Sequence, residues 1–355
     1  MEVMKQYCMR QFLIYKNRGE IMRFERADKS VRGSIFINSN TIYWIPMDEK
    51  KIYKYDCTSQ YVKEVYDFSH LNTKGKSVST ILRYKNSLIL ISLINCYEII
   101  EYDLERNNAK ILYQENKEVN IFNSFLCYDK VFLFPESTND YIVEYSLTDG
   151  KTNKYAWDDL NNCSVLNKKI YFMDYFEGYI YGVFYGTNTF FEMDCCGNIK
   201  CKLYNVDEKY LLSTIKVSNG EIYSNLINKP AVLKIDSNKK EREIYLVSEK
   251  KERNELPYCN IVKYNKKLFI LPAYNDFIQV YDEENNDCFI LNYPLGFHRV
   301  SESRLFWNYL TINNFVYLLP LSGNDLLILD MDKCCLENIK WAKSSFEKFL
   351  QDIIQ

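Results

Sequence analysis

The stretch "NTIYWIPMDEKKIYKYD", Asn40 to Asp56, decides the fold. It holds two short apolar-polar runs around a polar turn, the pattern of a pair of antiparallel strands. A variant returns as "NKKLFILPAYNDFIQVYD", Asn265 to Asp282, and again as "NNFVYLLPLSGNDLLILD", Asn313 to Asp330. Aligned on the apolar run, seven copies end at Pro46, Ser92, Pro135, Asp174, Leu226, Pro272 and Pro320. Their separations are 46, 43, 39, 52, 46 and 48 residues, the period of four-stranded propeller blades.

Two further marks keep the register. A second run closes at Asp56, Asp103, Ser146, Asp194, Asp236, Asp282 and Asp330, and an aromatic follows at Tyr66, Tyr113, Trp157, Tyr204, Tyr245, Tyr293 and Trp341. The chain is therefore all-β: a seven-bladed β-propeller of four-stranded antiparallel blades, strands a to d, over residues 34 to 341. The carboxylate after strand c is placed to accept from backbone two residues on and fix the c–d turn. The aromatic of strand d is expected to fill the contact between neighbouring blades.

These marks resemble the kelch repeat, which also carries an apolar run, a Tyr-Asp-like pair and a later aromatic. This chain departs from it by placing Pro46, Pro135, Pro272 and Pro320 where kelch repeats carry two glycines. The resemblance implies partner binding through loops more than catalysis.

Outside the ring, residues 1 to 33 include "QFLIYKNRGEIMRFERAD", a c–d pair by pattern. Ile21 to Phe24 are expected to join the blade at the closure seam, which would remove an exposed edge. Residues 342 to 355 end the chain, and "SSFEKFLQDIIQ", Ser344 to Gln355, has the apolar spacing of a short amphipathic helix.

Composition excludes several function classes. The formal charge is -2 with no basic stripe, so no nucleic-acid partner is expected. No apolar run reaches the roughly 20 residues of a membrane helix, and the opening "MEVMKQYCMRQFLIYKNRGE" lacks a secretory core; a cytoplasmic protein is expected. The twelve cysteines include no Cys-x-x-Cys pair, and the chain has only two histidines. Neither a metal nor a cofactor is expected from that spacing. No phosphate loop, nucleophile elbow or His-Glu-x-x-His pattern occurs.

The candidate site lies where the d–a and b–c loops gather. Eight residues before each apolar run stand Ser34, Thr80, Asn123, Asn162, Thr214, Asn260 and Asn308, all small, polar and uncharged. They are either a self-satisfied inner ring or a set of donors and acceptors for a neutral polar ligand. The fourth repeat carries about ten extra residues between its first two marks, with Tyr175, Tyr179, Tyr181 and Tyr185 among them. This segment is expected to form an aromatic b–c hairpin over the channel mouth. His70 and His298 both fall in d–a loops, the second beside Arg299. The favoured reading is a binding module, a scaffold for a protein or peptide held by the tyrosines, by Asn123, Asn162, Asn260 and Asn308, and by His298 and Arg299 at the rim. The alternative is a lyase or hydrolase acting on a glycan or modified peptide, with His298 or His70 as general base and Arg299 as anion clamp.

Overall fold

The computed structural model describes residues 33–38, 41–46, 49–56, 61–75, 77–92, 96–161, 167–196, 199–246, 258–272, 277–294, 297, 306–320 and 325–340. They form seven four-stranded sheets, each from one contiguous segment with its strands in chain order and every pairing antiparallel. The blades span residues 33–67, 78–115, 121–155, 173–205, 216–245, 258–292 and 306–340. The chain is a seven-bladed β-propeller.

Burial follows from the radial stacking. Each inner sheet is covered on both faces, so its strands are nearly continuous apolar runs rather than alternating ones. Strand b of blade two, Ser87–Ser92, is buried at every position. In blades three and six the same strand, Lys130–Pro135 and Lys267–Pro272, is buried everywhere after its first lysine. The outer strand d of blade six, Asp287–Asn292, has no buried residue. Seven apolar clusters form the seams between blades. At the closing seam Ile35, Ile42, Trp44 and Tyr53 of blade one meet Leu326 of blade seven, with Leu310 and Tyr317 at its margin. Blades one and seven each have four strands of their own, and they meet face to face. Ile21 to Phe24, Trp341 and Ser344 to Gln355 lie outside the described residues.

The turn chemistry expected after strand c is present. Asp103 Oδ1 accepts from the N–H groups of Glu105 and Arg106 at 2.9 and 3.0 Å. Asp236, Asp282 and Asp330 accept from the N–H two residues on at 2.8, 2.9 and 3.1 Å. Pro46, Pro135, Pro272 and Pro320 each end strand b. A residue without an N–H is tolerated there because the ladder stops.

Blade four corrects the sequence reading. The run "IYFMD" is not its strand b: strand a is Met173–Phe176, strand b Tyr179–Val183 and strand c Thr189–Asp194. The extra residues therefore lie in the d–a connection 156–172, which begins with the helix Trp157–Asn161. The misreading has a physical cause. "IYFM" and "YIYGV" are both apolar and β-branched or aromatic, and periodicity alone cannot rank two such neighbours. Trp157 consequently stands in that helix and not in strand d. It is buried against Phe134, Phe184 and Phe191 at the seam of blades three and four. Tyr245 keeps its place in strand d but is 70% exposed, so it fills no seam.

Candidate functional site

The strand-a residues at the channel mouth share one backbone register. Ser34, Thr80, Asn123, Asn260 and Asn308 pair with Ile45, Ile91, Phe134, Leu271 and Leu319 respectively. In blades two, three, six and seven the ladder shifts by one residue beside this position. A bulge of this kind bends the strand and re-aims its side chains, so the ring is built by a repeated device.

Three polar side chains of this ring bind backbone. Asn123 Nδ2 donates to the carbonyl of Tyr171 at 3.3 Å, and Asn260 Oδ1 accepts from the N–H of Ile261 at 2.8 Å. Thr214, fully buried just before strand a of blade five, accepts from the N–H of Asn225 at 3.1 Å. Asn225 is itself buried, yet neither atom of its side-chain amide has a hydrogen-bond partner. Such a group costs about 1–3 kcal/mol relative to a satisfied one.

Blade four breaks the ring. Each a–b turn carries a residue in the left-handed region: Lys85, Tyr128, Glu177, Asn219, Asn265 and Asn313 in blades two to seven. Five residues upstream stand Thr80, Asn123, Phe172, Thr214, Asn260 and Asn308. Phe172 thus occupies the place that the sequence reading gave to Asn162, which lies outside the described residues. Its ring packs against the cluster between blades six and seven, on the far side of the channel.

Beside Phe172 runs a chain of half-buried aromatics. Phe122 meets Tyr171 edge to face at 6.0 Å, and Tyr171 meets Tyr185 edge to face at 5.2 Å. A polar knot holds the middle ring. Glu136, just past strand b of blade three, accepts from Asn120 Nδ2 at 2.9 Å, Lys169 Nζ at 2.9 Å and the Tyr171 hydroxyl at 3.2 Å. Backbone bonds lace the supporting loops: Ile170 N–H to Glu136, Tyr185 N–H to Lys169 and Gly186 N–H to Leu212 at 2.8 to 2.9 Å. These bonds tie the supporting loops of blades three, four and five together.

Of the expected site residues, Asn123 and Tyr185 come together here. Tyr175 and Tyr179 flank the a–b turn of blade four, on the face opposite the mouth, each 37% exposed. The aromatic b–c hairpin is thereby overturned. Tyr181, on strand b between them and the mouth, packs against the seam of blades four and five; burial, with Glu192 beside it, pushes its phenol up. His70 is exposed, with Nδ1 3.1 Å from the Asp67 carbonyl and Nε2 3.4 Å from the Tyr66 hydroxyl. Among the described residues no carboxylate side chain is hydrogen-bonded to its ring. His298 and Arg299 lie outside the described residues. Sequence reasoning missed Phe122, Glu136, Lys169, Tyr171 and Phe172. The "EG" turn at Glu177–Gly178 was the signal that would have set the register.

No protein-family model matches the chain, and no curated protein is found similar to it. Among solved structures it is similar to virginiamycin B lyase from Staphylococcus aureus, with 11% identity and a TM-score of 0.62 over 82% of this chain and 92% of that one. It is similar to YCF48 bound to D1 peptide, with 10% identity and a TM-score of 0.62 over 85% and 92%. Hsv2 of Kluyveromyces lactis gives 8% and 0.54 over 86% and 97%. At these identities the likeness shows the fold alone. Among the described residues no helix is long and apolar enough to cross a membrane.

Proposed function

We propose that the protein is a kelch-like binding propeller of the cytoplasm, and that its mouth face at blades three to five holds an extended peptide segment of a protein partner. The observation that carries this is the aromatic chain Phe122–Tyr171–Tyr185, locked by Glu136, with the amide of Asn123 on the Tyr171 carbonyl. Aromatic anchors held rigidly at low entropic cost, with amides beside them, suit a peptide backbone and its apolar side chains. YCF48, a propeller of similar fold, is known in complex with a peptide, which supports the class of ligand. The lyase or hydrolase reading keeps one support, the similar fold of a lyase. His70 is an exposed ring held by the Asp67 carbonyl and the Tyr66 hydroxyl, and among the described residues no anion clamp stands beside it to complete a catalytic set.

The test is peptide display on the full chain, followed by affinity measurement of the selected peptides. Phe122→Ala and Tyr185→Ala are each expected to weaken binding by at least about 1 kcal/mol, with the thermal transition kept cooperative. Peptides that bind both variants as tightly as wild type would sink the proposal.

A further inference from the structure

A second cluster lies on the opposite face, where the a–b turn of blade three meets two turns of blade four. Strand a of blade three, Ile121–Cys127, ends at a buried thiol. After strand c of blade four, Asp194 Oδ1 accepts from the N–H of Cys196 at 2.8 Å and folds the chain back. The Sγ atoms of Cys127, Cys195 and Cys196 then lie within 4.8 Å of one another. All three thiols are free.

The a–b turn of blade four makes room for them. Cys195 Sγ is 2.9 Å and Cys196 Sγ 3.5 Å from the carbonyl of Gly178. Gly178 has φ +86°, and a Cβ there would stand 2.6 Å from Cys196 Sγ. Only glycine combines that backbone conformation with that clearance. Cys127 and Cys195 sit within the apolar cluster at the blade three–four seam, whereas Cys196 opens to solvent. Burial pushes the Cys127 and Cys195 thiols up.

We propose that Cys127, Cys195 and Cys196 form a three-thiolate site for a soft d10 metal ion, zinc or monovalent copper. Sulfur-only donor sets select these ions. A metal–sulfur bond of about 2.3 Å places tetrahedral sulfurs roughly 3.8 Å apart, so the cluster closes on an ion by side-chain movements of about 1 Å or less. Zinc takes water as its fourth ligand on the open Cys196 side, and monovalent copper is complete with three. Binding releases one proton from each thiol to solvent, three per ion, and nothing is oxidised or reduced. The Tyr175 hydroxyl, 3.7 Å from Cys127 Sγ, donates to the thiolate once it forms, as outer partners of metal ligands do. Asp194, Tyr128 and Tyr175 are the other ionisable groups against the cluster.

The experiment titrates the reduced full-length protein with Zn²⁺ in one arm and anaerobic Cu⁺ in another, using Co²⁺ as the spectroscopic stand-in for zinc. One equivalent with sulfur-to-cobalt charge transfer is expected, together with a rise in thermal midpoint on adding zinc. The arm with the tighter ion identifies the metal. Cys196→Ser alters an exposed side chain and should fold, yet it should weaken binding more than the roughly 10–100-fold seen on removing a mere outer partner. Cys127→Ser should do the same, and Cys288→Ser in distant blade six should bind as wild type does. The proposal is overturned if neither ion binds at one equivalent, or if binding survives both substitutions. It is equally overturned if the three thiols yield only a disulfide under mild oxidation and never take up metal.

Discussion

Blade two is entered through the ten residues 68–77 and blade four through the seventeen residues 156–172, and the two connections are locked by opposite means. In blade two the lock is a buried carboxylate. Glu98 accepts from Ser92 Oγ at 2.6 Å, from Gln114 Nε2 at 2.5 Å and from the N–H groups of Lys74 and Gly75 at 2.8 and 3.3 Å. A Cβ on Gly75 would stand 2.1 Å from Ser92 Oγ, so the loop is drawn down flush with the blade. In blade four the lock is the indole of Trp157, set in a ring of phenylalanines. Its apolar anchor consumes no rim polarity, so Glu136, Lys169 and Asn120 stay at the mouth to position Tyr171. The polar lock uses up the polar groups of its connection, whereas the apolar lock leaves those of the rim to hold Tyr171.

Removing each lock breaks this comparison most directly. Trp157→Ala should cost about 3–5 kcal/mol in denaturant unfolding. Trp157→Phe should cost much less, because the indole nitrogen is buried without a partner and nothing is lost with it. An alanine effect under about 1 kcal/mol would show that the helix is an ornament. Glu98→Ala should cost about 2–4 kcal/mol, since it strands four buried or part-buried donors at once. Hydrogen exchange should localise the damage to residues 68–77; a uniform loss across the ring would contradict the lock.

The seam between blades two and three offers a pH test of the same polar style. Burial pushes the Glu115 carboxyl up, but Lys154 of blade three, at 2.8 Å, and the hydroxyls of Tyr113 and Tyr141 together outweigh it and hold it at about 2. A carboxyl depressed in the folded state stabilises above its unfolded pKa and loses that stability as pH falls through its folded value. The contribution, of order 1–2 kcal/mol after screening, should therefore fade between about pH 4.5 and about pH 2. Glu115→Gln should flatten the stability curve in that window, and an unchanged slope would remove Glu115 from the seam. Smallest of all, Tyr245→Ala should change stability by less than about 0.5 kcal/mol. Tyr245 and Trp157 carry the same repeated mark, so unequal costs measure how far sequence register and packing part company.

The repeat, the strand count and the aspartates closing strand c were legible because each depends on local chemistry: an apolar run, a turn, a carboxylate two residues from its donor. The ring position was legible in part. Thr80, Asn123, Asn260 and Asn308 hold a constant offset from strand b, but that offset failed in blade four, where two apolar runs compete and Phe172 displaces the expected asparagine.

What the sequence by itself determined is thus the seven-fold framework, whose contacts are short-range and repeated seven times over. Only the tertiary structure decided which departures from the repeat meet. Phe122, Tyr171 and Tyr185, 49 and 14 residues apart in turn, come from two blades and the connection between them. Cys127 lies 68 residues from Cys195, a spacing that no metal-binding pattern contains. Radial packing sets the end of one blade's strand a beside the turns of the next. Residues far apart in the chain thereby become neighbours through seam geometry that local propensity does not encode.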